Sequence, residues 1–478
     1  MTFRPMPMRL LCAALLLAAA GLAGAREAAP APLPVPEHGL VGVEQRHLAP
    51  AYWIELLGAA ADTVYLDAGQ VAAHNARLVA EDASVRDMAA FAQVLDGRQV
   101  RAWIEAVSAR PDAERYDAQG RPLGPDFFDA LERTLALEAI PARVTPRFGL
   151  AVARADLRAF PTAQRIFSSA GDIDIDRLQE SALFPGDALA VLHTTADGAW
   201  SFVASDRYLA WMESERLATG TREQVAAYRG RTPSLVVTGA TARTVFNPER
   251  ADISELQLDM GVRVPRLDDW PARQPVHGQH PAFGHVVELP ARRADGALEL
   301  VPALLPRSAD VADAPLPLTP ANIIRQAFKF LGERYGWGHS FNARDCSGFV
   351  SEVYRSMGLQ MPRNTREQSV SPAFDKTVLQ AGDARAARAA AVAELQVGDL
   401  VYIPGHVMMM IGRENGLTYV IHDTAGTGYL DADGQYLRMP LHGVAVTALE
   451  PMMSGQDTPT IDRITSIVRL RLSPGGTP

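Results

Sequence analysis

The chain has 478 residues, a formal net charge of -9 and 47% hydrophobic residues. That length suggests about three domains of roughly 150 residues each, with real cores. The acidic balance excludes the electrostatic footprint of a nucleic-acid binder or of a protein held on an anionic membrane surface.

The first 25 residues read as a secretory signal. Arg4 and Arg9 form a positive start, residues 10–22 are almost wholly apolar but too short to span a bilayer, and Ala23-Gly24-Ala25 has the form of a cleavage site. The plainer alternative is an uncleaved anchor or a buried helix. A cleaved signal implies export, to the periplasm or beyond the cell, with no stable membrane insertion afterwards. Of the two cysteines, Cys12 lies inside this segment, and its neighbours Leu10 and Leu11 lack the small residues of a lipoprotein site. Cys346 is then the one thiol of the mature chain, and an unpaired exported thiol points to deep burial or to use.

Residues 26–39, rich in Ala and Pro, read as a linker. Residues 40–140 read as a helical N-terminal domain, with apolar residues three and four apart around Ala59–Ala61, Val71–Val79 and Val100–Val107. Pro125 opens a further helix expected to run through Leu137. From 141 to 220 short apolar runs alternate with turns, as in Leu189–Leu192, Asp197-Gly198 and Trp200–Val203, which is the spacing of a small β-barrel. A second β-rich stretch, 228–306, holds Leu235–Val237, Gly261–Val264, His285–Leu289 and Leu298–Val301. Residues 306–319 read as another linker. A C-terminal α+β domain over 318–475 follows, with an Ala- and Arg-rich insertion near 380–393 that reads as a surface helix or loop.

The chemistry lies in the last domain. Cys346 precedes Phe349, Val350, Val353, Tyr354 and Met357 at helical spacing, so it opens a buried helix, where free N–H groups and the helix dipole favour a thiolate. A small buried hydrophobe at a helix start is an equally good reading of Cys346 alone. A nucleophilic thiol needs a base. His406 and His422 fall on consecutive strands joined by Asn415-Gly416, so one can take the thiol proton while the other orients its ring. Two satisfied strand histidines are the bland alternative for each taken singly.

The blocks Tyr335-x-Trp337-Gly338, Asp345-Cys346-Ser347-Gly348-Phe349, Met361-Pro362-Arg363-Asn364-Thr365, Gly398-Asp399-Leu400 and His406-Val407 resemble the NlpC family of papain-like cell-wall cysteine peptidases over roughly 320–450. Upstream, Arg154 to Arg158, Phe160-Pro161-Thr162 and Asp197-Gly198-x-Trp200 are similar to the first of two bacterial SH3-like barrels in a subgroup of that family. The resemblance implies a multidomain α+β chain: a helical N-terminal domain, two SH3-like barrels and a papain-like catalytic domain. It implies hydrolysis of the γ-D-glutamyl–diamino acid bond in peptidoglycan stem peptides or muropeptides, with no cofactor and no metal. It assigns Cys346 as nucleophile, His406 as base, His422 as third polar residue and Tyr335 as oxyanion helper. It also places Asp345 at the free amine of an N-terminal L-Ala, and Ser347, Thr365 and Trp337 on the substrate side. The plainer reading of Asp345 is a cap on the Cys346 helix. His339 stands where the family commonly has a second glycine; it either lines the site or fills a loop. Three rivals remain at this level: a zinc site from Cys346, His339, His406 and His422, an acyltransferase using the same thiol, and a wall-binding protein with an inert catalytic domain.

Overall fold

The computed structural model describes residues 35–471, so the signal-like segment, Cys12 and most of the first linker lie outside the described residues. The N-terminal region is helical, with helices Pro50–Leu57, Ala68–Glu81, Gly97–Val107 and Pro125–Thr134. Asp67 caps the second of these through a reciprocal bond with Gln70. Gly58 at φ 53° ends the first helix, so Ala59–Ala61 falls in a 3-10 turn, Gly58–Asp62, rather than in a regular α-helix. The fourth helix stops at Thr134, short of the expected Leu137, because Ala136 turns left-handed at φ 47°.

These helices are amphipathic but share no core of their own. Trp53, Leu66, Val71 and Leu78 pack into the C-terminal domain, whereas Val100, Ile104, Phe128 and Leu131 pack against the first barrel. A short helix buries only one stripe, and here each stripe finds a neighbouring sheet.

The first barrel is a seven-stranded antiparallel sheet between Arg147 and Thr219, closed around Leu157, Leu189, Val203 and Met212. Helix Arg222–Gly230 leads from it to a second β unit of three small sheets with a separate core of Leu235, Val264, Leu289 and Leu305. Residues 306–319, expected as a linker, are pinned. Val311–Ala312 pairs with the strand Ser234–Val237, and the buried Leu318 accepts the Tyr65 N–H at 2.8 Å. Apolar Leu318 and the backbone groups around it outweigh the proline-rich composition.

In the last domain, helices Pro320–Phe328 and Cys346–Arg355 pack with a six-stranded antiparallel sheet. Its order is Asp375–Val378, Ser466–Arg469, Leu400–Ile403, His406–Glu414, Leu417–Leu430 and Tyr436–Ala448. Asn415 and Gly416 both have positive φ, 51° and 79°, which is the two-residue hairpin turn whose twist matches the strands. The 380–393 insertion is a helix, Arg385–Ala393, tied down by Arg388 donating to the carbonyls of Gln380 and Ile464.

The three C-terminal units meet over a buried ion network. Arg344, wholly buried, donates to Glu352 and Glu333 within its own domain and to Asp259 and the Ala240 carbonyl of the second β unit. Arg154 of the first barrel pairs with the same Asp259 and donates to the carbonyls of His339 and Ala343. Buried charges persist only when paired and hydrogen-bonded, so this network fixes how the barrels sit on the C-terminal domain.

Candidate active site

Cys346 is the first residue of its helix and is buried, 5% exposed. The Val407 N–H, from the strand that His406 begins, points at its sulfur. Burial pushes the thiol pKa up, the Asp345 charge adds to the rise, and the Val407 N–H opposes it. The helix-start thiolate expected from the sequence is therefore not the resting form. Desolvating the charge outweighs the helix N-terminus, and the thiol is held neutral until something takes its proton.

His406 follows the Pro404-Gly405 turn and pairs with Ile403, at the very start of its strand. The register Met409 with Ile421 and Met410 with Val420, carried back, sets His406 opposite Thr424 and diagonal to His422 on one face. His422 pairs with Ala445, which makes Thr447 its diagonal neighbour on the next strand. The contacts follow this path: His406 Nε2 to His422 Nδ1 is 2.8 Å, and His422 Nε2 to Thr447 Oγ1 is 2.9 Å. Thr447 Oγ1 in turn donates to Met452 Sδ at 3.6 Å. With that hydroxyl proton spent, Thr447 accepts from His422 Nε2–H. His422 Nδ1 then accepts from His406 Nε2–H, and the lone pair of His406 lies on Nδ1. Burial lowers His406 to about 4 and His422 well below its ordinary value, so both rings are neutral near pH 7.

Tyr335 is half-buried beside the thiol, its phenol pKa raised by burial and then by the Cys346 and Asp345 charges. Asp423, directly after His422, was not singled out in the sequence. Both its oxygens are buried without a hydrogen-bond partner, and burial, with Asp345 and Glu333 adding, pushes its carboxyl up to about 9.

Asp345 departs from its expected place as a receptor for a substrate amine. Its Oδ1 accepts from Gly348 N–H at 2.8 Å, Ser347 Oγ at 3.0 Å and Arg363 at 3.1 Å, and its Oδ2 accepts from Gly338 N–H at 3.0 Å and Arg363 at 2.8 Å. Every lone-pair direction is spent, the guanidinium of Arg363 holds the carboxyl well below the usual range, and the helix-cap reading is the one observed. Ser347 is drawn into the same network, donating to Asp345 and accepting from Arg363 at 2.9 Å, so its hydroxyl is not open to a ligand carboxylate. Arg363 was quoted in a motif but given no role. An arginine directly after the buried Met361 and Pro362 is the signal that marks it as a buried ion partner.

Trp337 donates its indole N–H to the Gln179 carbonyl at 3.0 Å and lies under Arg177, so it fastens the loop to the first barrel rather than standing in an open cleft. His339 fills the loop and does not reach the thiol. It is 3% exposed, sits at φ 66°, and its ring nitrogens meet Arg363 at 2.9 Å and Glu352 at 3.0 Å. A side chain at Gly348 would strike that imidazole at 2.6 Å, which explains the glycine three residues into the helix N-terminus. Thr365 opens helix Thr365–Val370, half-buried, two residues beyond Arg363. The first barrel supplies a wall here: Arg363 donates to Ser181 Oγ at 2.7 Å, and Tyr208 donates to Glu180 alongside. Among the described residues no group of three or more His, Cys, Asp or Glu is arranged to hold a metal ion, and none of the helices could cross a membrane.

A buried thiol at a helix start, a chain of two neutral histidines and a hydroxyl on an antiparallel sheet, and β-barrel modules docked beside them make up a multidomain α+β protein. Residues 332–451 match the NlpC/P60 family, and residues 165–213 match an SH3 domain of the SH3b1 type; the chain carries an NlpC/P60 domain toward its C-terminal end and an SH3b domain ahead of it. It is 29% identical over 181 residues to a probable endopeptidase of Corynebacterium glutamicum, covering 35% of this chain and 74% of that protein. It is 31% identical over 184 residues to a gamma-D-glutamyl-L-lysine dipeptidyl-peptidase of Bacillus cereus, covering 37% of this chain and 48% of that protein. An NlpC/P60 endopeptidase from Photobacterium damselae subsp. piscicida superposes with a TM-score of 0.71 at 15% identity, over 91% of this chain and 98% of that one, and so shares the whole multidomain fold. Over its C-terminal domain the chain is thus similar to peptidases of the NlpC/P60 family.

Proposed function

We propose that this protein is an exported cysteine peptidase that cuts peptidoglycan stem peptides at the bond between γ-D-Glu and the following diamino acid. The observation that carries the reading is the hydrogen-bonded chain from His406 through His422 to Thr447, which starts on the strand whose Val407 N–H meets the helix-start thiol. His406 Nδ1 takes the Cys346 proton as the sulfur attacks the amide carbonyl, and His422 and Thr447 hold the ring and its tautomer. The Cys346 N–H and the Tyr335 phenol receive the developing oxyanion. The amine leaves with the proton from His406, and water then releases the acyl group from sulfur. Because thiol and imidazole both rest neutral, proton transfer belongs to the attack itself. The named activity of the Bacillus cereus relative supports the choice of bond, and the apolar segment at residues 10–22 supports export.

The test is hydrolysis of L-Ala-γ-D-Glu-diamino acid tripeptide, with products read by mass spectrometry. Wild type should release L-Ala-γ-D-Glu, and Cys346→Ala should release none while melting as wild type does. Cleavage at any other bond overturns the substrate assignment, and full activity in Cys346→Ala overturns the thiol mechanism.

A further inference from the structure

A cavity of about 320 Å³ lies where the first barrel, the second β unit and the catalytic domain meet, away from the thiol. That volume is at the lower end of small-molecule sites. Five arginines line it, Arg207, Arg229, Arg231, Arg263 and Arg355, against two carboxylates, Asp187 and Asp206.

The pairing within this set leaves positive charge over. Both Asp206 oxygens go to Arg229, at 2.8 and 3.1 Å. Arg231 is taken by Glu288. Arg263 spends its guanidinium on Ser234 Oγ and the carbonyls of Arg229 and Arg231. Asp187 gives one oxygen to Arg355 Nη2 at 2.8 Å and the other to the Phe184 N–H. Arg355 Nη1 is buried with no partner. Arg207 makes no hydrogen bond or ion pair among the described residues. Burial, with the Arg355 charge adding and Asp187 and Asp206 only partly opposing, lowers its pKa from the usual guanidinium range to about 10. Uncompensated charge away from water is costly, and Arg207 together with the Nη1 of Arg355 faces the shared cavity as donors still without an acceptor.

We propose that this three-domain junction is a binding site for a small oxyanion, a carboxylate or phosphate group held between Arg207 and Arg355. Planar guanidinium forks suit either group, since each presents paired oxygens that accept two parallel N–H donors. The ligand bridges Arg207 of the first barrel and Arg355 of the C-terminal domain, so binding couples the set of that barrel to the domain. The site stands apart from the thiol chemistry and does not depend on it.

Inorganic phosphate is the first probe, titrated by calorimetry into the whole mature chain in phosphate-free HEPES at constant ionic strength. Wild type should bind it saturably and melt at higher temperature with it. Arg207→Gln should weaken binding by roughly tenfold or more, the loss of one charge-assisted contact. Without phosphate, Arg207→Gln should be at least as stable as wild type, because it removes a charge that lacks a partner. Absence of saturable binding, equal binding by Arg207→Gln, or a destabilised Arg207→Gln in phosphate-free buffer would each overturn the proposal. In a second arm, on Cys346→Ala, a stem peptide ending in a free carboxylate competes with phosphate against the same peptide amidated. Displacement by the acid alone assigns the site to a wall-peptide carboxylate; displacement by neither assigns it to the free inorganic anion.

Discussion

Asp423→Asn tests the electrostatics beside the thiol through stability rather than activity. In the folded chain the Asp423 carboxyl is pushed up to about 9, first by burial and then by Asp345 and Glu333, and neither oxygen has a hydrogen-bond partner. In the unfolded chain an aspartate titrates near about 3.9. Between those values the unfolded state gives up a proton that the folded state keeps, so stability falls as pH rises from about 4 to about 9. At about 1.4 kcal/mol per pH unit, the loss by pH 7 is at most about 4 kcal/mol. Asparagine cannot ionise and lacks this dependence. Its amide N–H groups also lack partners, which shifts its stability by an amount that does not vary with pH. The measurement is urea unfolding of both proteins from pH 4 to pH 8. The variant should gain on wild type steadily across that range, whatever the offset at pH 4. A difference that stays flat means that Asp423 is ionised or partnered in the folded protein, and the argument fails.

Four other substitutions probe the site. Loss of His406 should lower kcat by about 100- to 10,000-fold, the range of general base catalysis, and loss of His422 should cost less because it acts through the first ring; equal losses in steady-state assays would contradict these separate roles. Thr447→Val removes one neutral hydrogen bond of about 0.5–1.5 kcal/mol, so kcat should fall by roughly 2- to 12-fold at unchanged KM, and an unaltered kcat would show that the tautomer is set elsewhere. Arg363→Gln leaves Asp345 buried without its counter-ion, so urea melts should show a loss of roughly 3–5 kcal/mol; a wild-type midpoint would mean that the pair contributes nothing.

The local chemistry was legible because it is written in short range. A helix is marked by Phe349, Val350 and Val353 at its own period, a hairpin by Asn415-Gly416, and a pair of histidines by their placement on the strands that turn joins. Those signals place Cys346, His406 and His422 without any long-range information. The split of the N-terminal helices between two cores was not legible, since an apolar stripe records that a face is buried and not against what. The pinned 306–319 segment escaped for a similar reason, its composition reading as linker while Leu318 meets Tyr65 across 253 residues of sequence.

The sequence alone determined where the candidate groups lie, a thiol at a helix start and two strand histidines, because residue type and period fix helix, strand and turn locally. Tertiary structure alone decided their states and partners. Burial makes the thiol neutral where the helix start argued for a thiolate, because desolvation is a property of everything packed around an atom. Asp345 is a capping ion partner, and not a free receptor, because Arg363, eighteen residues on, folds back to it. The surplus of arginine between three domains exists only once the barrels have docked, since no one of those domains holds both Arg207 and Arg355.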